Sequence, residues 1–347
     1  MSTTPTTQMD LSAWPEDAAT RLCALIQRHA HQGEYAVFDA DQTCYQHDLT
    51  EPLLAYLERQ GLISQDTLAA ELKLLPFLNS IGAEPESLYS YYTRLCALDA
   101  NIGYAWIAQS FAGLSLGQLK ASLDAMLAAG QALPVRTWLN GNAQSGLSHP
   151  PRMVLGMQQL IAALQQHGIA VYIVSAGLEE AVRMLLADPQ YGYHVPAEHV
   201  IGVTTLLRDP HTGDVTTARQ RMAAGSYRTE NLDQHHLTTQ LLAPLTWAEG
   251  KVAAIKTHID AVRQPILVAG DTPDSDGPML FDATDLKRGG LRLFIDRSAC
   301  AVQRLHIMQA QRAAQQAAAY LPVSAHDGWL LIAHQQLMGA NHCMATL

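Results

Sequence analysis

Four apolar residues, Tyr35-Ala-Val-Phe38, stop abruptly on Asp39, and strand-like sequence does not return until well past residue 130. A short run that is apolar at every position suits a parallel strand covered on both faces. From about Glu51 to Gly130 the spacing is helical instead. Leu53, Leu54, Leu57, Leu68, Leu72, Leu88, Leu95 and Leu119 mark apolar faces, and Gly61, Gly82 and Gly113 punctuate them. Strand-like runs reappear at 171–175, 200–204, 266–271 and 291–295, with helical spacing at 158–166, 179–187 and 251–263. A first helix is expected from Pro15 to about His31, a hairpin over 204–216 and a helix over 310–320. Alternation of this kind predicts a doubly wound parallel sheet with right-handed crossovers. The economical architecture is an α/β core of residues 1–47 and 140–347, interrupted by a mainly helical cap of residues 48–139. Residues 321–347 show no assignable pattern.

With 347 residues and 48% hydrophobic side chains, the chain can bury a large core as one big domain or two moderate ones. A formal net charge of -10 argues against nucleic-acid and membrane partners, since both are polyanionic. The N-terminus lacks a basic segment followed by an apolar one, and no apolar run is long enough for a membrane helix. Five cysteines at scattered positions fit free thiols better than a disulfide framework. The expectation is a cytoplasmic protein; its oligomeric state is left open.

The strand ends carry the chemistry. Asp39 and Asp41 are two residues apart where the first strand stops, the edge at which open α/β sheets bind ligands. Carboxylates so close repel unless a cation or a shared proton compensates, and one can attack while the other moves protons. Ser175 ends a second strand, Lys251 opens a helix, and Gly270-Asp271-Thr-Pro-Asp274-Ser-Asp276 continues from a third strand. This set suits phosphoryl transfer. A phosphomonoester dianion must be neutralised before an anion can attack it, and Mg²⁺ takes hard oxygen ligands.

Asp-x-Asp-x-Thr, Ser, Lys and Gly-Asp-x-x-x-x-Asp, in that order, resemble the four signature motifs of haloacid dehalogenase superfamily phosphatases. Segments 35–39, 87–92, 202–210 and 268–280 are similar to bacterial phosphorylcholine phosphatases. The resemblance implies that Asp39 is the nucleophile and Asp41 the general acid, then base. It implies that Thr43 orients the loop and belongs to the phosphate site, and that Ser175 and Lys251 hold the phosphoryl group. Mg²⁺ would be held by Asp39, Asp271 and the backbone carbonyl of Asp41. Asp276, and with it the extra acid Asp274, would act from behind those ligands or through water.

The substrate would be a small phosphomonoester, phosphorylcholine first. In the cap, Tyr89 and Tyr92 could face a quaternary ammonium or simply form a buried stripe with Leu88 and Leu95. Tyr45 and Glu51 could reach the mouth of the site. Two rival readings stay open: a phosphatase for another metabolite, such as a phosphoserine-like ester, and a non-catalytic sensor or scaffold. His235-His236 reads as a polar loop pair, and Cys44 as a bystander beside the loop.

Overall fold

The computed structural model describes residues 9–78, 85–139 and 142–339. Helix α1 (Glu16–His29) has Leu22, Leu25 and Ile26 buried at helical spacing, with Glu16 and Asp17 in its first turn and Arg28 and His29 in its last. Those charges complement the helix dipole. Strand β1 (Tyr35–Phe38) comes next, then a tight loop and the two-residue strand β2 (Tyr45–Gln46).

The chain then leaves the core through helices α2 (Thr50–Arg59), α3 (Leu88–Leu98), α4 (Ala100–Gln109) and α5 (Leu116–Ala129), ending in a hairpin of β3 (Leu133–Leu139) and β4 (Asn142–Ser148). It re-enters by β5 (Arg152–Met153), which pairs antiparallel with β2. Helices and strands then alternate through α6 (Leu155–Gln166), β6 (Ala170–Leu178), α7 (Glu179–Leu186), β7 (Val200–Arg208), β8 (Val215–Thr216), α8 (Ala218–Ala223) and β9 (His236–Leu242). The chain finishes with α9 (Glu249–His258), β10 (Leu267–Gly270), α10 (Pro273–Asp282), β11 (Leu291–Asp296), α11 (Ala299–Ala318) and β12 (Trp329–Ala333).

Strands β12, β11, β10, β1, β6 and β7 lie side by side in that order and run parallel. From β1 the chain builds to one side through β6 and β7, and from β10 it builds to the other. The winding therefore reverses between β1 and β10, where such sheets open a crevice at their carboxyl edge. Register puts the site there. Phe38 pairs with Ile173 on one side and Ala269 on the other. Asp39 lies one position beyond that line, and Ser175 and Asp271 lie two.

Side chains alternate between two buried layers. Val37, Val174, Val268 and Phe294 pack with Ile255, Leu280 and Leu305 from α9, α10 and α11. Phe38, Ile173, Ala269 and Leu293 pack with Ile26, Leu160 and Leu185 from α1, α6 and α7. Each large apolar side chain so buried contributes roughly 1.5–3 kcal/mol. A charge at position 38 would break this packing.

Two expectations need correction, and a stretch left unassigned gains an element. A division at 139/140 runs through the β3–β4 hairpin, paired from Leu133↔Ser148 to Leu139↔Asn142, so a division that keeps the hairpin whole falls after Ser148. His236 opens β9, which pairs with β7, and is not in a loop. Part of 321–347 forms β12, a parallel edge strand.

The segment between β2 and β5 is tied to the core beyond its two ends. Gly113 N–H donates to Leu237 O, Leu237 N–H to Leu114 O, and Leu116 N–H to His235 O, each at 2.9 Å. Among the described residues, no helix is long and apolar enough to cross a membrane.

Candidate active site

Asp39 is buried where β1 ends, its N–H donating to Ala269 O at 2.9 Å. Lys251, in the first turn of α9 and fully buried, donates to Asp39 Oδ1 at 2.5 Å and to Asp276 Oδ1 at 2.6 Å. Burial works against the Lys251 charge, but Asp276 and Asp39 outweigh it and hold the ammonium above its ordinary pKa. The other Asp276 oxygen accepts from the N–H groups of Asp271 and Thr272. Asp276 thus fixes both the lysine and the loop bearing Asp271.

Asp39 Oδ2 and Asp271 Oδ1 flank the Thr43 hydroxyl at 3.3 and 3.4 Å. One carboxylate oxygen each from Asp39, Asp271 and Asp276 lies within 4.8 Å of the others. Asp276 is held by Lys251 and two backbone amides at 2.6–3.0 Å, whereas Asp39 Oδ2 and Asp271 Oδ1 carry only the longer Thr43 contacts, so those two oxygens have the capacity for a cation. Burial, then Asp276, raises Asp39 to about 6, against the opposing pull of Lys251. Burial, then Asp276 and Asp39, pushes Asp271 well above the carboxylate range. A hard divalent ion would relieve that crowding, so the donor set fits Mg²⁺.

Asp41 points into the same cavity, which has a volume of about 220 Å³. Its Oδ1 accepts from the Tyr45 hydroxyl at 2.9 Å and from Leu49 N–H at 2.7 Å. Burial, then Asp48 and Asp39, raises its pKa well above the ordinary value. The cavity is also lined by Asp48, Glu51, Tyr92, Tyr104, Ile107 and Arg297. Glu51 accepts hydrogen bonds from Tyr92 at 2.9 Å and Tyr89 at 3.2 Å, and burial, then Asp48, lifts it to about 7. Six carboxylates line this space, against Arg297 in the lining and Lys251 behind it. The balance calls for a cation.

No protein-family model matches the chain. Over 330 residues it is 46% identical to the phosphorylcholine phosphatase of Pseudomonas aeruginosa, covering 94% of this chain and 93% of that one. The chain belongs to the phosphorylcholine phosphatase family. A solved structure of a conserved protein of unknown function from Anaerococcus prevotii superposes with a TM-score of 0.56 at 19% identity, covering 87% of this chain and 90% of the other. At that identity the likeness concerns the fold alone.

Of the residues that its sequence nominates, this phosphorylcholine phosphatase family member brings Asp39, Asp41, Asp271, Asp276 and Glu51 to one cavity, with Lys251 against Asp39. Ser175 is fully buried just behind the lining residues Ala176 and Gly177. Its hydroxyl accepts from Gly177 N–H at 3.0 Å, so its own proton is free to be donated. Thr43, also fully buried, sits beneath the two carboxylates and orients them without lining the cavity.

Asp274 does not join the site. It is exposed on α10 and pairs with Arg304, because positions two apart on a helix point about 200° apart while Asp276 faces inward. Tyr45 does not reach the mouth; it is fully buried below Asp41. Tyr92 lines the cavity, whereas Tyr89 holds Glu51 from behind. Tyr91 and Trp106 are core, bonded to backbone at Leu75 and Leu72. Cys44 is buried and donates to Asp39 O, with burial pushing its thiol up, so it is no nucleophile.

Two charged lining residues, Arg297 and Asp48, are not among those the sequence nominates. Arg297 Nε lies 3.0 Å from Asp271 Oδ2, one residue past the end of β11, and the strand-end rule that found Asp271 could have found it. Asp48 had no such signal, since nothing in its loop marks it as inward-facing.

Proposed function

We propose that this protein is a Mg²⁺-dependent phosphomonoesterase that works through an aspartyl-phosphate on Asp39, with phosphorylcholine as the leading substrate. One observation carries the reading: Asp39 and Asp271 converge at the sheet's switch point with Lys251 bonded to Asp39. The 46% identity to a phosphorylcholine phosphatase supports it independently.

Mg²⁺, held by Asp39, Asp271 and the Asp41 carbonyl, would offset negative charge on the carboxylates and the phosphoryl oxygens. Lys251 keeps Asp39 ionised and aimed, and with the Ser175 hydroxyl it holds phosphoryl oxygens. An Asp39 oxygen bonds to phosphorus as the P–O bond to the alcohol breaks. Asp41, protonated at rest, gives its proton to the departing oxygen. As a carboxylate it then takes a proton from water, whose oxygen attacks the aspartyl-phosphate and frees Asp39 and inorganic phosphate.

Glu51 with Tyr92 and Tyr104 offers a carboxylate and aromatic rings at the leaving-group end, the chemistry that attracts a quaternary ammonium. Arg297 in the same lining favours a second reading, an ester with an added carboxylate such as phosphoserine. Rates across a panel of phosphomonoesters separate the two. Absence of a kcat/KM advantage for phosphorylcholine over p-nitrophenyl phosphate and phosphoserine defeats the choline reading. Asp39→Asn should fold and lose turnover, and substantial activity in that variant would sink the covalent mechanism. EDTA should silence the enzyme and Mg²⁺ restore it. Mg²⁺-dependent phosphate release also excludes a non-catalytic scaffold.

A further inference from the structure

We infer that Tyr45 is a positioning residue for proton transfer: its buried hydroxyl and the Leu49 amide both donate to Asp41 Oδ1, which leaves Oδ2 to carry the proton. The inference rests on the reading of Asp41 as general acid and adds what sets its direction.

Tyr45 has no exposed surface and does not line the cavity, so it cannot protonate a leaving group itself. Its position is fixed by backbone. It pairs with Met153 across the β2–β5 ladder and bridges to Asp41. From there its hydroxyl lies 2.9 Å from Oδ1, with the Leu49 amide at 2.7 Å from the same atom. The protonated oxygen of a carboxylic acid is a poor acceptor, so two donors on Oδ1 confine the proton to Oδ2. Among the described residues no donor is hydrogen-bonded to Oδ2.

Oδ2 faces a gap that Gly177 keeps open. A Cβ at position 177 would stand 3.2 Å from Oδ2, 3.0 Å from Thr50 Oγ1 and 3.3 Å from Ser175 Oγ. The proton therefore waits on the side lined by Thr50 and Gly177, where the departing oxygen can reach it. Without Tyr45 the Leu49 amide alone holds Oδ1, and the proton is shared more evenly between a useful and a useless oxygen.

The assay compares phenyl phosphate with p-nitrophenyl phosphate. They are close in shape, but nitrophenolate is a far weaker base and needs little protonation to leave. The quantity read is kcat/KM, which covers the steps up to departure of the alcohol. Tyr45→Phe is expected to lower kcat/KM for phenyl phosphate about 10-fold more than for the nitro ester, the size of one hydrogen bond to a carboxyl group. A purely structural role would depress both esters equally, and an unchanged ratio overturns the inference. The ratio within one preparation is insensitive to any inactive fraction, and Tyr45→Met carries the same expectation should the Phe variant not fold. Asp41→Asn separates the two levels. If it leaves the ratio unchanged, Asp41 is not the acid and the underlying reading fails. If it shifts the ratio while both Tyr45 variants do not, the role of Tyr45 alone fails.

Discussion

Gly250→Ala is the smallest change that should disconnect Lys251. Gly250 is the second residue of α9, and the turn carrying Leu245 crosses directly over it. A Cβ there would stand 1.7 Å from Leu245 O, against backbone that cannot swing aside like a side chain. Contacts between a real Cβ and oxygen are almost never under 3.0 Å, so the turn and the helix must separate by more than an ångström. The next residue is Lys251, whose bonds to Asp39 and Asp276 are 2.5 and 2.6 Å long. A shift of that size takes both beyond hydrogen-bond range. Misplacing a catalytic group by about 1 Å costs about 10²-fold in rate, or about 2.7 kcal/mol of barrier. The same turn holds Thr246, whose hydroxyl donates to Ser175 O at 2.6 Å, so the phosphate side of the site should loosen as well. The assay is steady-state hydrolysis with saturating Mg²⁺, alongside circular dichroism to establish that the variant is folded. A folded Gly250→Ala protein with wild-type kcat would refute the claim that this helix start positions the lysine.

Glu51→Gln should raise KM for phosphorylcholine about 10-fold, within the range expected for one desolvated ionic contact, and leave p-nitrophenyl phosphate nearly untouched. Equal effects on both esters would mean that Glu51 does not meet the leaving group. In the metal-free protein, Asp39 is raised to about 6 and Glu51 to about 7, so the folded state keeps protons that the unfolded chain has lost. The stability they contribute is complete below about pH 4 and is lost as pH rises through about 7. Thermal melts in EDTA should therefore fall across that window, with Glu51→Gln flattening the upper part; a Tm that climbs from pH 5 to 7 contradicts the assignment.

The strands around the site were legible because both faces of a parallel sheet are covered. Tyr35–Phe38 and Leu267–Gly270 are buried at every position, and such runs stand out in a sequence. Their ends then located Asp39 and Asp271 with no further information. Other elements lack this signature. Strand β3 contains Pro134, β4 has Leu147 as its one large apolar residue, and β9 is interrupted by Thr238, Thr239 and Gln240. Their pairing comes from neighbours, not from local preference. The same limit applies to side-chain direction. That Tyr45 lies beneath Asp41, or that Asp274 turns outward to Arg304, comes from how a loop or helix start is rotated, which spacing alone does not fix.

The two strands of the neck, β2 and β5, meet at Tyr45↔Met153 and Gln46↔Arg152, so the polypeptide departs from and rejoins the sheet at adjoining points. An excursion closed at its base in this way adds nothing to the distances that the sheet must span. Its length and content can therefore vary wherever the ties of Gly113, Leu114 and Leu116 to His235 and Leu237 are kept, while the catalytic strands keep their register. The stretch that supplies Glu51 and Tyr92 to the cavity and the strands that carry Asp39 and Asp271 are thus joined where Tyr45 stands below Asp41.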